Sequence, residues 1–374
     1  MKIIFSANTS WYLYNFRKKL IESMVSRGWD VILVAPQDAY YWKIKMPGIK
    51  YIGLPIDRYG FSPLHAWATV KSYYKIFKRE KPDVIHLFTI KPVILGTIAA
   101  RLAGIPKIVN SITGLGYIFT SGSRLRKIVE TVYRSVLTSS RVDVILQNPD
   151  DEKLFQSFSR IQTTKIHLIR GSGVDLESFL LDGLKPPSEL DNHSIHFIMF
   201  CRMLWDKGVQ EFVSAAELVK THIPNARFHL IGGIETGSPN EVPKSWLVQF
   251  QTHDFIHWVN HVEDIRPWIA GSHVVVLPTY YGEGVPKSLI EAAALTKPII
   301  TTNIAGCREI VIDHYNGLLI PPNSVEALVK AMIHLGQDQI LREKMGKQGR
   351  TLVEKEFGDG PVITSTSAVY GIDC

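Results

Sequence analysis

Two carboxylates, Glu283 and Glu291, stand eight residues apart in the stretch Gly-Glu-Gly-Val-Pro-Lys-Ser-Leu-Ile-Glu. Paired acids can divide acid and base work, or they can accept hydrogen bonds from the hydroxyls of a sugar. The residues around them favour the second use. Val274–Pro278 reads as a short buried strand, Pro286 fits a first helical position, and Leu289–Leu295 continues as an apolar helix. A strand, a glycine turn and a helix N-terminus form an anion site, because amide groups and the positive end of the helix dipole converge there. From Pro286 to Glu291 the helix rises roughly 7 Å at about 1.5 Å per residue. That is the reach from a diphosphate to a ribose, so a nucleotide-sugar can lie along it.

Two cations add to this. Arg202 and Lys207 follow an expected strand, Ile195–Phe200, in Cys-Arg-Met-Leu-Trp-Asp-Lys-Gly. Cations at the carboxyl end of a strand neutralise a diphosphate as negative charge develops on it. The plainer alternatives are surface ion pairs for the cations and a solvent-facing helix position for Glu291.

Strand and helix patterns alternate along the whole chain. Lys2–Ala7, Asp30–Pro36, Asp83–Phe88, Lys107–Ile112 and Asp143–Gln147 read as strands, separated by helical patterns at Leu13–Ser26, Leu64–Arg79, Pro92–Ala103 and Arg124–Thr138. A second series reads as strands at Ile195–Phe200, Ala226–Ile231, Phe255–Trp258, His273–Pro278 and Pro298–Thr302. Helical patterns at Val209–His222, Ser288–Leu295 and Ser324–Leu335 separate them. Such alternation predicts an α/β protein with two doubly wound parallel sheets, and ligands at the carboxyl ends of the strands. Leu180–His193, with Pro186 and Pro187 at its centre, loses all apolar period and is the expected linker. The expected division is therefore 1–185, 186–356 and a terminal segment 357–374, in which Gly358, Gly360 and Pro361 leave room for only a short helix.

With 374 residues the chain is long for a single core. Cys201, Cys307 and Cys374 are scattered, which argues against a disulfide framework or a zinc site and fits a reducing compartment. The apolar run at the N-terminus is too short for a signal peptide, and Pro92–Gly104, interrupted by Arg101, is too short to span a bilayer. The net charge of +7 hides an asymmetry. Through residue 185 there are 27 Lys and Arg against 14 Asp and Glu, a net of +13; the remainder has 15 against 21, a net of −6. A basic half predicts an anionic surface or ligand, the bland alternative being a solubilising bias.

The C-terminal motifs together resemble the retaining GT-B glycosyltransferases of family 4. The resemblance rests on Arg202 with Lys207-Gly208, on the Glu-x7-Glu pair, on Lys297-Pro298, on Gly306-Cys307-Arg308-Glu309 and on Asn316 to Pro322. It implies two Rossmann-like domains facing a central cleft, with the acceptor mainly in the first and the nucleotide-sugar donor in the second. It further implies that Arg202 and Lys207 bind the donor diphosphate, that Glu291 meets the ribose, and that Glu283 touches the transferred sugar. The turn of Gly284, Val285, Pro286 and Lys287 would complete the phosphate contact. No cofactor is implied, the nucleotide-sugar being a substrate. No Asp-x-Asp occurs, so metal independence is expected.

The N-terminal half departs from the pattern. Ser6 to Trp11 holds no glycine, although Asn8, Thr9 or Ser10 can cap the next helix and still direct amides inward. Many relatives carry a histidine after the strand Lys107–Ile112, where this chain has Thr113-Gly114-Leu115-Gly116. A threonine is no proton acceptor near neutral pH, so either Thr113 binds a sugar hydroxyl or another group takes the proton. Thr-Gly-Leu-Gly resembles a branch that builds bacterial surface polysaccharides. It is not a dinucleotide fingerprint, since Phe119 stands at the third glycine position. Asn8, His86, Lys91, Thr113 and Gly114 are the acceptor-side candidates.

Leu64–Arg79 and Arg124–Thr138 mix Trp67, Tyr73, Tyr74, Phe77 and Tyr133 with Lys71, Lys75, Lys78, Arg79, Arg124, Arg126, Lys127 and Arg134. Such segments can rest on anionic lipid, though aromatics at helical spacing also build cores. The implied setting is cytoplasmic and peripheral on the inner face of the plasma membrane. The implied acceptor is an undecaprenyl-diphosphate-linked saccharide. A sugar-nucleotide epimerase or hydrolase of the same architecture is the alternative. A basic nucleic-acid-binding protein would leave the C-terminal motifs unexplained, so nucleic acid is not an expected partner.

Overall fold

The computed structural model describes residues 1–57, 60, 62–114, 124–157 and 165–372, the side chains of 124–129 excepted. It divides into two compact units, Met1–Gly173 with Asp359–Cys374, and Val174–Gly358.

The first unit holds a seven-stranded sheet: β1 (Lys2–Ser6), β2 (Asp30–Ala35), β3 (Ile49–Gly53), β4 (Val84–Phe88), β5 (Lys107–Ile112), β6 (Val142–Leu146) and β7 (Ile166–Leu168). The order is β3-β2-β1-β4-β5-β6-β7, and all the pairings are parallel. Side-chain alternation assigns the two faces. Ile4, Ile32 and Val34 pack with Tyr73 and Phe77 of the helix Pro63–Glu80. Ile3, Phe5, Val31 and Leu33 pack with Leu13, Leu20 and Ile21 of the helix Ser10–Ser26. Both faces are covered, which is why these strands read as continuous apolar runs.

The second unit repeats the plan with β8 (Ile195–Phe200), β9 (Ala226–Ile231), β10 (Ile256–Val259), β11 (Val274–Leu277), β12 (Ile299–Thr302) and β13 (Gly317–Ile320) in the order β10-β9-β8-β11-β12-β13. In each unit the strand order reverses at one place, between β1 and β4 and between β8 and β11. Open α/β sheets bind ligands outside the carboxyl ends of the strands at such a place.

Several elements differ from the sequence reading. β3, β7 and β13 were not expected, being short strands at or near sheet edges with little alternation to reveal them. The stretch 180–193 is irregular but belongs to the second unit, where Leu190 is buried in the core; the division falls instead at Gly173/Val174 and Gly358/Asp359. Pro92–Ala103 is a π-helical turn, Pro92–Gly96, running into an α-helix, Thr97–Ala103. The terminal segment forms a three-turn helix, Asp359–Tyr370, rather than a short one. Gly360 and Pro361 sit in its first turn, where an absent N–H leaves no helical bond unmade. Cys201 and Cys307 are free, and Cys374 lies outside the described residues. Among the described residues no helix is long and apolar enough to cross a membrane.

Candidate functional site

Beyond Phe200, β8 runs into a loop that turns through a short 3-10 segment, Trp205–Lys207, and ends at Gly208. Gly208 has φ of +83°, and a Cβ there would stand 2.3 Å from the carbonyl oxygen of Pro278. Only glycine lets this loop close on the end of β11. Asp206 fastens the arrangement: its carbonyl accepts bonds from Tyr280 N–H (2.9 Å) and from Thr279 Oγ1 (3.1 Å). Its buried side chain accepts from Asn240 Nδ2 at 2.8 Å. Loops following β8, β9 and β11 are thus tied together at one residue. Burial pushes the Asp206 carboxyl above its ordinary value, and its Oδ1 has no hydrogen-bond partner.

Within this frame Lys207, 7% exposed, donates through its ammonium to Glu283 Oε1, and the ammonium lies 4.5 Å from the centroid of the Tyr281 ring. Thr279 Oγ1 lies 3.3 Å from the same Glu283 oxygen, its one proton shared between that oxygen and the Asp206 carbonyl. Burial pulls the Lys207 pKa down, but the Glu283 carboxylate outweighs it and holds the ammonium above its usual value. Arg202 Nη1 stands 3.5 Å from Glu235 Oε2. The next helix runs Lys287–Ala294, and Lys287 Nζ is 3.7 Å from Glu291 Oε1. Burial raises the Glu291 carboxyl.

Pro286 caps this helix instead of opening it, with ψ of 119°, and its carbonyl accepts from Leu289 N–H at 3.1 Å. Behind the turn, Gly306 meets the chain so closely that a Cβ would lie 1.3 Å from the carbonyl oxygen of Gly284. The sequence candidates of the second unit therefore lie on two loops, those following β8 and β11, and on one helix start. Sequence reasoning missed Asp206, Glu235, Asn240, Thr279 and Tyr281. Asp206 had the signal of lying beside Lys207, and Thr279 and Tyr281 that of lying within four residues of Glu283; Glu235 and Asn240 join only through the fold.

The first-unit candidates are more dispersed. Asn8 N–H donates to Thr89 Oγ1 at 3.2 Å, joining the ends of β1 and β4 at the strand-order reversal. Thr89 has φ of +65°, a strained conformation for a β-branched residue. Thr9 caps the helix Ser10–Ser26 through Oγ1, but the amides of Ser10 and Trp11 are not directed to a ligand. Asp38 Oδ2 accepts both, at 2.7 and 3.2 Å.

His86 is corrected in placement. It is the third residue of β4, fully buried, with Nδ1 bonded to Tyr370 OH (2.6 Å) and Nε2 to Ser111 Oγ (2.7 Å). Burial, aided by Arg17, holds its pKa well below the usual range, so it is a neutral core imidazole. Lys91 Nζ donates to the carbonyls of Asp57 and Gly60, and burial lowers its pKa. Thr113 and Gly114 follow β5 directly, Gly114 with φ of +116°. Leu115, Gly116, Phe119 and the side chains of Arg124, Arg126 and Lys127 lie outside the described residues.

The arrangement resembles known proteins throughout. The family described as glycosyl transferases group 1 matches residues 184–352, and glycosyl transferase 4-like matches residues 2–153. The chain is 26% identical to an N,N'-diacetylbacillosaminyl-diphospho-undecaprenol alpha-1,3-N-acetylgalactosaminyltransferase of Campylobacter jejuni, over 93% of this chain and 92% of that relative. It is 30% identical to a UDP-Gal:alpha-D-GlcNAc-diphosphoundecaprenol alpha-1,3-galactosyltransferase of Escherichia coli, over 76% of this chain and 74% of the relative. Among solved structures, a glycosyltransferase from Rickettsia africae superposes with a TM-score of 0.77 at 18% identity, covering 99% of this chain and 97% of that one. This likeness shows the two-sheet GT-B fold.

Proposed function

The chain belongs to the group 1 glycosyltransferases, and from that premise we propose that it moves a sugar from a UDP-sugar to an undecaprenyl-diphosphate-linked saccharide, with retention at the anomeric carbon. The convergence of Arg202, Lys207, Glu283 and Glu291 around one glycine turn and helix start in the second unit carries this reading. Arg202 and Lys207 neutralise the leaving diphosphate, Glu291 accepts from the ribose hydroxyls, and Glu283 meets the transferred sugar. The turn of Gly284, Val285, Pro286 and Lys287 lies along the phosphates. The acceptor hydroxyl attacks from the face that the diphosphate leaves. Support for the uridine donor comes from the Escherichia coli relative, whose name states it, and support for the lipid-linked acceptor from the names of both bacterial relatives.

The first unit takes the acceptor in this reading, with Asn8, Thr113 and Gly114 at the ends of β1 and β5 as its contacts. A peripheral position on the cytoplasmic face of the plasma membrane is part of this reading, and the outer side of the helix Pro63–Glu80 supports the membrane contact. Leu64, Trp67 and Tyr74 are 81%, 54% and 38% exposed. Lys71, Lys75 and Lys78 share that side at helical spacing, and Lys71 and Lys78 lie 5.6 and 5.8 Å from the Trp67 and Tyr74 rings. The helix's one acid, Glu80, is buried and paired with Lys50 and Arg79. An aromatic and basic strip without acids suits anionic headgroups.

The test is incubation with a panel of UDP-, GDP- and ADP-sugars, with and without undecaprenyl-diphosphate-linked saccharide. Lipid-dependent consumption of a UDP-sugar with an α-linked product is expected. Donor turnover that ignores the lipid would replace transfer by epimerisation or hydrolysis.

A further inference from the structure

Each cation of the candidate donor site faces a carboxylate of the protein itself. Lys207 is bonded to Glu283, Arg202 stands 3.5 Å from Glu235, and Lys287 stands 3.7 Å from Glu291. The Lys207–Glu283 pair is the most enclosed of the three, with side chains 9% and 11% exposed. Thr279 shares its one hydroxyl proton between the same carboxylate oxygen and the Asp206 carbonyl, and the Tyr281 ring covers the ammonium.

We infer that Glu283 is an internal counter-ion that the donor's diphosphate displaces from Lys207, so that the carboxylate becomes available to the sugar only when the phosphates arrive. This rests on the donor reading above. The physical argument concerns exchange. A cation this enclosed cannot stand unpaired without a large desolvation cost, and Glu283 is the anion that the protein itself provides. A diphosphate entering the site replaces one carboxylate with a more highly charged group, and the net gain is only the difference between the two. The released carboxylate must then find donors of its own, because a buried acceptor left unmade is costly. Sugar hydroxyls provide them, whereas a nucleoside diphosphate alone does not. The site therefore favours the intact donor over the product nucleotide, which helps UDP to leave after transfer.

The counter-intuitive consequence is that removing a proposed substrate contact strengthens binding of the product. Glu283→Gln is isosteric and removes only the competing charge. Calorimetry with UDP is expected to show binding about three- to tenfold tighter in this variant than in wild type, the scale of a modest ion pair. UDP should also raise the melting temperature of the variant more than that of wild type, since it restores a partner to Lys207. With UDP-N-acetylgalactosamine, UDP-galactose and UDP-glucose as further probes, the affinity gained from the sugar in wild type should be lost in the variant. Glu235→Gln tests the Arg202 pair in the same way. Equal or weaker UDP binding by Glu283→Gln, or a sugar contribution that survives the change, overturns the inference. Failure of the wild type to bind UDP, GDP or ADP would instead overturn the donor reading beneath it.

Discussion

At the scale of residues, the site combines charges that are expensive to hold in place. Lys207 is buried beside Glu283, and Asp206 is buried with one oxygen lacking a partner. If Lys207 stabilises the departing diphosphate, Lys207→Gln should lower kcat/KM by about 10²–10³-fold, the usual cost of deleting one charge-stabilising donor. Steady-state kinetics would show it, and a loss below tenfold would remove Lys207 from that role. Asp206 makes a different prediction. Asp206→Asn keeps an acceptor for Asn240 and removes the cost of burying a carboxylate whose pKa burial has raised. Its folded pKa lies above the unfolded one, so the charge weakens the fold once pH exceeds the unfolded value. The melting temperature of Asp206→Asn at pH 8 should therefore equal or exceed that of wild type. A clear fall would mean that the charge itself holds the three loops.

At the scale of elements, the second sheet carries an unusual row of histidines. His196, on β8, bonds through Nδ1 to His229 Nε2 on β9 at 3.0 Å, and its backbone N–H donates to His273 Nδ1 at 3.1 Å. His257 of β10 stacks 5.5 Å from His229. Burial lowers all four pKa values, those of His229 and His273 to about 3 and about 4. Arg227 adds to the effect on His196, His229 and His257, and Arg342 on His273, while Asp191 opposes it at His196, His229 and His273. In the unfolded chain these groups take protons near pH 6.5, whereas the fold keeps them neutral. Stability present above pH 6.5 is thus lost as pH falls through 4 toward 3. His229→Gln can keep the bond to His196 without titrating in this range, so its melting temperature should fall less steeply between pH 6.5 and 4. An unchanged slope would exclude His229 from the acid sensitivity. The sequence revealed the strands that carry this row but not the row itself, because alternate residues on three neighbouring strands meet only once the register is set. The same limit explains His86. Its position near a strand end looked accessible, but the terminal helix covers it, and that helix's pairing with β4 is invisible to local periodicity. The placement of Arg202, Lys207 and Glu283 after strand ends, and of Glu291 on the helix that follows, was legible because each lies in a short motif beside a strongly patterned strand or helix.

At the scale of the whole molecule, the charge asymmetry gains a location. The helix Pro63–Glu80 divides its aromatics cleanly, with Tyr73 and Phe77 in the core and Trp67 and Tyr74 outside. Periodicity alone had made all four plausible core residues. Replacing Lys71, Lys75 and Lys78 together by Glu should abolish flotation with vesicles of anionic lipid while leaving the melting temperature nearly unchanged, because all three are exposed. Flotation that persists would move any membrane contact elsewhere.

The order in which the parts are made also matters. Val362, Val369 and Tyr370 complete an apolar cluster with Ile3, Phe5 and Leu33, yet the entire second unit lies between them in the chain. On a ribosome adding about 5–20 residues per second, the first unit waits roughly 10–40 s for the helix Asp359–Tyr370. During that interval His86 lacks Tyr370, and one flank of the sheet is uncovered. The second unit, continuous in sequence, can close while the first is still open. The first unit is therefore sealed by a helix made only after the whole of the second unit.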